Sequence, residues 1–335
     1  MIKCIIWDLD DTIWDGKVVE NSIKIKSNII SFIKETNERG IINSISSKND
    51  FGQAIKILEE HNIKELFVYP QINFQNKSLN IKKILEFLNV FPKDVYFVDN
   101  EDFELAEVKR FFPDINVVNS DNIEFLKKII INQKDFDPFR VQKYKSEEVR
   151  VNKFIDYNGD IKRFYIDCEM KMHISQINQL NIEAAFRLIN RSNRYNFGIN
   201  TKEINEKLTK YTQLENQRIY ILNASDKYGD YGVCGVCVVN IENTPVIELF
   251  SISCRLKGKG FAESFFAFVL NDLKSMKKKY VLCRYTKTDF NKNMRIFLLL
   301  FKFIPLEKNN ECQIFKRDLN EYFEYKSWIK LVDDI

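Results

Sequence analysis

Asp8, Asp10 and Asp11 crowd into WDLDDT, directly after the apolar run CIIW. Carboxylates at the end of a buried strand are unfavourable unless a cation or a bound group offsets their charge. The spacing Asp8-x-Asp10 suits phosphoryl chemistry, in which one carboxylate attacks phosphorus and the next but one, turned by the loop, shuttles a proton. Both need countercharge. A magnesium ion held by Asp8, Asp10 (through its carbonyl) and Asp99 would neutralise the approaching phosphate and keep several waters. Ser47 and Lys48 in SSKND and Lys77 in QNKS are placed to hold non-bridging oxygens as charge redistributes. A second constellation lies far along the chain, where Cys254 precedes Arg255-Leu256-Lys257-Gly258-Lys259-Gly260. Glycines let backbone amides approach an anion, and the N-terminus of the next helix adds a favourable dipole, so a phosphate or a pantetheine pyrophosphate fits there. Cys254, beside a cation and an amide-rich loop, has the setting of an acyl acceptor.

These groups need elements to hold them. From residue 2 to about 132, β-rich runs (IKCIIWDL, IINSIS, ELFVYP, DVYFVD, INVV) alternate with amphipathic helical stretches. That alternation predicts a doubly wound α/β domain with a parallel sheet. Ligands in such sheets bind beyond the carboxyl ends of the strands, where Asp8, Ser47 and Asp99 all fall. Asp50 is the expected N-cap of the helix that starts at Phe51. Residues 133–165 are charged with weak periodicity and read as a helical connector. From 166 to 335 the pattern becomes β-α-α-β-β-β-α-β-α-β, a separate α+β domain. Within it, Cys234-x-x-Cys237 falls in the strand YGVCGVCVVN; strand residues three apart face opposite sides, so core packing is expected there and not a redox or zinc site.

Composition narrows the function classes. The chain has 335 residues, enough for two cores, and a net charge of +4 that gives no signature of nucleic-acid binding. Its seven cysteines lie mostly in apolar runs, which suits reduced thiols and a cytoplasmic location. Strand-like sequence begins at Ile2, leaving no cleavable signal, and the longest apolar run, MRIFLLLFKFIPL, is short and broken by Lys302, so no membrane span is expected.

The order of the first set of residues resembles the haloacid dehalogenase (HAD) superfamily. IIWDLDDTIWDG, SISSKND, YPQINFQNKS and FVDNEDFELAEV together resemble its subclass IIIC, the FkbH-like proteins. The resemblance implies a HAD-like Rossmannoid parallel sheet with a minimal cap over residues 1–132, Asp8 as nucleophile and metal ligand, Asp10 as acid/base, Ser47 and Lys77 as phosphate anchors and Asp99 as the second metal carboxylate. Two positions depart from the family pattern. Asn100 replaces an Asp, which removes negative charge near the metal and leaves Glu104 to compensate, and Phe74 replaces a Trp. RSNRYN, DKYGDYG, SISCRLKGKG and Thr288-x-x-Asn291-x-x-Met294 likewise resemble the GNAT-like acyltransferase domain that follows the HAD domain in FkbH-like proteins. This implies that Asn193, Arg255, Gly258, Gly260 and Asn291 bind a carrier or its pantetheine arm.

The function implied is a glyceryl transferase that dephosphorylates 1,3-bisphosphoglycerate and loads the glyceryl unit as a thioester on an acyl carrier protein, with Mg2+ as cofactor. A polyketide extender unit, a tetronate or a glycan modification are all compatible products. The alternatives are a Mg-dependent phosphatase of a small phosphometabolite and a catalytically idle carrier-docking module. Acetyl transfer would need a general base near the Gly-rich loop, and the sequence offers none.

Overall fold

The computed structural model describes residues 2–20, 23–133, 137, 139–192, 195–198, 206, 208, 209, 216–308 and 312–332. The chain divides into two units, Met1–Asn152 and Lys153–Ile335.

Unit 1 is built on a five-stranded parallel sheet. Its strands are β1 (Cys4–Trp7), β4 (Ile42–Ser47), β5 (Gln71–Ile72), β6 (Val95–Asp99) and β7 (Asn116–Asn119), in the order β5-β4-β1-β6-β7. A small antiparallel pair, β2 (Trp14–Asp15) and β3 (Lys24–Ile25), follows β1. The central strand explains the apolar run CIIW. Ile5 and Trp7 enter one core with Ile33, Ala54 and Leu126, whereas Cys4 and Ile6 enter another with Ile81, Leu88 and Val108. A strand covered on both faces has no polar side to show. The covering helices are α1 (Ser27–Glu38), α2 (Phe51–Glu60), α3 (Lys77–Leu88), α4 (Asp102–Phe111) and α5 (Ile123–Ile131). Asp50 caps α2 as expected, accepting from the Gln53 amide. The segment read as a connector contains α6 (Arg140–Phe154), whose Arg140 donates to the carbonyls of Lys3 and Gly40 and whose Tyr144 hydroxyl donates to Leu88.

Unit 2 carries an eight-stranded mixed sheet. Its strands are β8 (Met170–Gln176), β9 (Gln217–Asp226), β10 (Gly229–Asn240), β11 (Val246–Ile252), β12 (Tyr280–Tyr285), β13 (Ile304–Lys308), β14 (Gln313–Asp318) and β15 (Ile329–Val332), in the order β13-β14-β12-β11-β10-β9-β8-β15. The helices are α7 (Ile161–Asp167), α8 (Ile182–Arg191), α9 (Phe261–Ser275) and α10 (Lys292–Leu300). Phe265, Phe266 and Leu298 of α9 and α10 pack with Tyr220, Cys237 and Phe250, whereas Ala185 and Ile189 of α8 pack with Ile221, Val236 and Leu249. The fold class read from the sequence is therefore present: a parallel α/β sheet followed by a separate α+β unit. TKEINEKLTKYT, read as a helix, lies mostly outside the described residues.

Three details differ from expectation. ELFVYP forms no strand: Tyr69 sits at φ 52°, which ends the extended run, and only Gln71–Ile72 joins the sheet. Cys234 and Cys237 enter the same core because β10 bulges between Val233 and Gly235, which puts both on one face; both are fully buried. Finally, β13 and β15 extend the second sheet at its two edges. Among the described residues no helix is long and apolar enough to cross a membrane.

Candidate active site

Parallel pairing brings the ends of β1, β4 and β6 side by side, and the chain emerging from each carries a polar group. Asp8 follows β1, with its amide donating to Val98 at 2.9 Å. Ser47 ends β4 and Asp99 ends β6. Lys77 is the first residue of α3, so its side chain returns over the strand ends. Its Nζ lies 2.8 Å from Asp8 Oδ1 and 2.6 Å from Asp99 Oδ2, and the Ser47 hydroxyl donates to Asp8. Asp8 and Lys77 are each 4% exposed and Asp99 is 0% exposed. The structure thus gathers four of the residues singled out by sequence.

Two carboxylates against one ammonium leave an excess negative charge in a site almost without water. Burial pushes the Asp8 carboxyl up to about 6, with the Asp99 charge adding to the rise and Lys77 and Ser47 opposing it. Asp99 is likewise raised, first by burial, against the pull of Lys77. Burial alone would lower Lys77, but the two carboxylates outweigh it and raise it. Lys77 is therefore a fixed cation at neutral pH.

The loop after β1 is set by its own backbone. The Leu9 carbonyl accepts from the amides of Thr12 (3.2 Å) and Ile13 (2.9 Å), and Asp11 adopts φ 52°. Asp10 is held by the Trp14 indole, whose Nε1 donates to Oδ1 at 2.9 Å. Asn100 accepts from the Thr12 hydroxyl at 3.5 Å, so it touches the aspartate loop. Lys48 pairs with Glu104 at 2.6 Å. A further carboxylate, absent from the sequence reading, fixes the start of α3: Glu107 accepts from the Ser78 amide (3.3 Å) and from the Ser78 hydroxyl. Only the acidic side chain in FELAEV hinted at it, and no spacing rule singles it out.

Among the described residues no three His, Cys, Asp or Glu side chains form a ready metal cluster. Magnesium does not require one, since it keeps most of its waters and binds through one or two carboxylates. The excess negative charge on Asp8 and Asp99 fits a divalent cation, and so does Glu104 Oε2, a buried oxygen with no hydrogen-bond partner among the described residues.

In unit 2, Cys254 opens a single turn after β11 and is half-buried. Arg255 Nη2 donates to the Tyr231 carbonyl at 3.0 Å, and Lys259 Nζ donates to the Arg255 carbonyl. Both cations lie over the Tyr231 ring, at 5.9 and 5.3 Å from its centroid. Among the described residues Arg255 Nη1 is buried without a hydrogen-bond partner. Gly258 (φ 74°) and Gly260 (φ 89°) turn the chain into α9, whose N-terminus has no side-chain cap. Asn291 is fully buried and its amide serves the chain itself: Oδ1 accepts from Tyr285 and Thr288, and Nδ2 donates to Thr286 and Asn196. Asn193 lies outside the described residues.

No family model matches the chain. No curated protein matches it either. Solved structures are similar to parts of it. The N-terminal part of a Bacteroides fragilis protein, containing a phosphatase domain and complexed with Mg, is 27% identical with a TM-score of 0.36. That match covers 41% of this chain and 41% of the other. An acetyltransferase from Thermus thermophilus is 11% identical over 44% of this chain and 97% of its own, with a TM-score of 0.36. Spermidine N-acetyltransferase from Vibrio cholerae, solved with CoA and spermine, is 13% identical over 46% of this chain and 98% of its own, with a TM-score of 0.34.

Proposed function

We propose that unit 1 is a magnesium-dependent phosphoryl-transfer site and that the whole chain couples it to acyl transfer, taking the glyceryl unit of 1,3-bisphosphoglycerate to the thiol of an acyl carrier protein. The observation that carries the reading is the buried Asp8–Lys77–Asp99 cluster, a nucleophile held against a fixed cation where three parallel strands end. Such preorganisation favours a transition state that spreads charge over phosphoryl oxygens.

In this reading Asp8 attacks phosphorus while the bond from phosphorus to the substrate oxygen breaks. Asp10, oriented by the Trp14 indole, gives its proton to the departing oxygen and then takes one from the water that cleaves the aspartyl phosphate. Lys77 and Ser47 hold the non-bridging oxygens. Asp8, Asp99 and the Asp10 carbonyl would hold Mg2+, which would supply further charge neutralisation when bound. In unit 2, the Cys254 sulfur attacks the acyl phosphate carbon at C1 as the carbon–oxygen bond to phosphate breaks, the leaving phosphate taking up the thiol proton; the carrier thiol then attacks the thioester, its proton passing to the departing Cys254 sulfur. The unpartnered Arg255 Nη1 and the uncapped start of α9 support an anion at the Gly-rich loop.

Incubation of the full chain with holo-acyl carrier protein, Mg2+ and 1,3-bisphosphoglycerate tests this, with the carrier mass as readout. A glyceryl increment on the carrier is the expected result. Magnesium-dependent phosphate release with an unchanged carrier mass would reduce the chain to a phosphatase, and no release at all would leave only a docking module.

A further inference from the structure

The Gly-rich loop of unit 2 is held by two side chains from distant parts of the same unit. The Tyr165 hydroxyl, on α7, donates to the Gly258 carbonyl at 3.1 Å. The Trp328 indole, just before β15, donates from Nε1 to the Lys259 carbonyl at 2.9 Å. The two rings are neighbours, with centroids 5.7 Å apart. Trp328 arrives on a stretch without helix or strand, Leu319 to Trp328, that runs antiparallel to α9. Asn271 pairs with both the amide and the carbonyl of Phe323, and nearer the start of the helix the Ser264 hydroxyl accepts from the Lys326 amide. The strap ends on the loop itself.

These contacts fix the direction of peptide planes. Gly258 and Gly260 lie at φ 74° and 89°, and glycine gives a chain little stiffness of its own. In a planar trans peptide the carbonyl and the amide of one unit point in opposite directions. The amide opposite the Gly258 carbonyl is that of Lys259, which closes a turn on the Leu256 carbonyl at 3.1 Å. The amide opposite the Lys259 carbonyl is that of Gly260, so it is turned away from Trp328. Among the described residues neither this amide nor that of Phe261 has an acceptor, although both residues are buried. Buried amides are normally paired. Donors already held in place bind an anion without the cost of ordering them first.

We propose that Tyr165 and Trp328 are positioning residues that pin the carbonyl side of the loop and so aim the Gly260 and Phe261 amides at an anionic group of the ligand. This rests on the anion reading of the loop given above and deepens it, because it makes the C-terminal strap a requirement for anion recognition.

The test uses the full chain with Tyr165→Phe, Trp328→Phe and the two combined, which keep an aromatic ring at each position and remove the donor. The probes are phosphopantetheine and pantetheine, titrated calorimetrically, and the ratio of their Kd values isolates the phosphate from the rest of the arm. Wild type should bind the phosphorylated probe about tenfold tighter. In the double variant that ratio should fall about fivefold. Looser packing alone would weaken both probes together and leave the ratio where it was. An unchanged ratio in the double variant would overturn the positioning role while the anion reading stands. Equal binding of the two probes by wild type, or binding of neither, would overturn both. If the double variant does not fold, each single variant is read by the same ratio, with a fall of about twofold expected and no change overturning the proposal.

Discussion

The two candidate sites hold charge in opposite senses. In unit 1 two carboxylates face one ammonium, all three nearly inaccessible to water, so the site is short of positive charge. In unit 2, Arg255 Nη2 and Lys259 are turned onto carbonyls and the Tyr231 ring, and among the described residues one arginine nitrogen has no acceptor, so that site is short of negative charge. In the proposed reaction a cation would complete the first and an anion the second. A molecule carrying both a phosphate ester and an acyl phosphate needs two such environments, because hydrolysing one group and transferring the other call for different surroundings.

The sharpest way to break this comparison is to disable each site in turn. Asp8→Asn should lower magnesium-dependent release of the ester phosphate at C3 on the order of 10³-fold yet leave the chain able to take up an acyl group, with its one phosphate from C1. Cys254→Ala should do the reverse. Intact-protein mass spectrometry and a phosphate assay on the same samples read both. A covalent acyl adduct that survives Cys254→Ala would remove that cysteine from the scheme, and normal release of the C3 ester phosphate by Asp8→Asn would remove the nucleophile.

Next in size is Lys77→Met. The lysine side chain is 5% exposed between carboxylates that are 6% and 0% exposed. Its loss strands two buried charges, a change that typically costs about 3–5 kcal/mol. The penalty should be larger at pH 7 than at pH 5, where protonation relieves the repulsion, and added Mg2+ should recover part of it. Urea unfolding at the two pH values checks this. An equal loss at both would mean that the carboxylates are not charged in the folded protein.

Much of this site is legible in the residues themselves. Asp8 and Asp99 announce themselves as acids following apolar runs, and Lys77 stands where an amphipathic pattern begins. The supporting contacts are not legible, because they depend on tertiary approach: Trp14 returning to Asp10, and Glu107 crossing from α4 to Ser78. The same division holds for the fold. The apolar runs in CIIW and VYFVD survive into β1 and β6 because burial on both faces demands them. ELFVYP carries an equally apolar run, yet Phe67 and Val68 are buried from a turn, which apolarity alone cannot distinguish from a strand. The helix α5 buries Ile123, Leu126 and Ile130, a spacing readable in IEFLKKIII, although the sequence reading assigned no element there. By contrast, β15 pairs with β8 across some 160 residues, and no local pattern reports that.

A smaller effect separates the sites by pH. The Asp8 carboxyl is raised to about 6 in the folded protein, from 3.8 ordinarily. Between those values the folded state binds more protons than the unfolded one, so this group's contribution to stability is full below about pH 4 and is lost as pH rises through 6. Asp8→Asn removes the loss. Without metal, the variant should therefore gain on wild type by roughly 1–3 kcal/mol between pH 4 and pH 7. A gap that stays constant with pH would show that Asp8 does not titrate in the folded state.

The smallest expected effect concerns the loop of unit 2, where two glycines differ in what surrounds them. At Gly260 a Cβ would lie 2.7 Å from Lys326 Cγ and 3.3 Å from Trp328, on a backbone at φ 89°. At Gly258 the nearest atom is the Tyr165 hydroxyl at 4.0 Å, so an added methyl meets open space and only the backbone at φ 74° resists. Gly258→Ala should thus cost about 1 kcal/mol and Gly260→Ala roughly 2–3 kcal/mol, since the second adds a steric term to the same conformational one. Thermal unfolding ranks the two. The activity readout then bears on the contrast between the sites. If the loop receives an anion, both variants should slow carrier loading more than they lower stability, while phosphate release at Asp8 continues at the wild-type rate. If loading falls only in proportion to the folded fraction, the glycines shape the chain without framing a binding site.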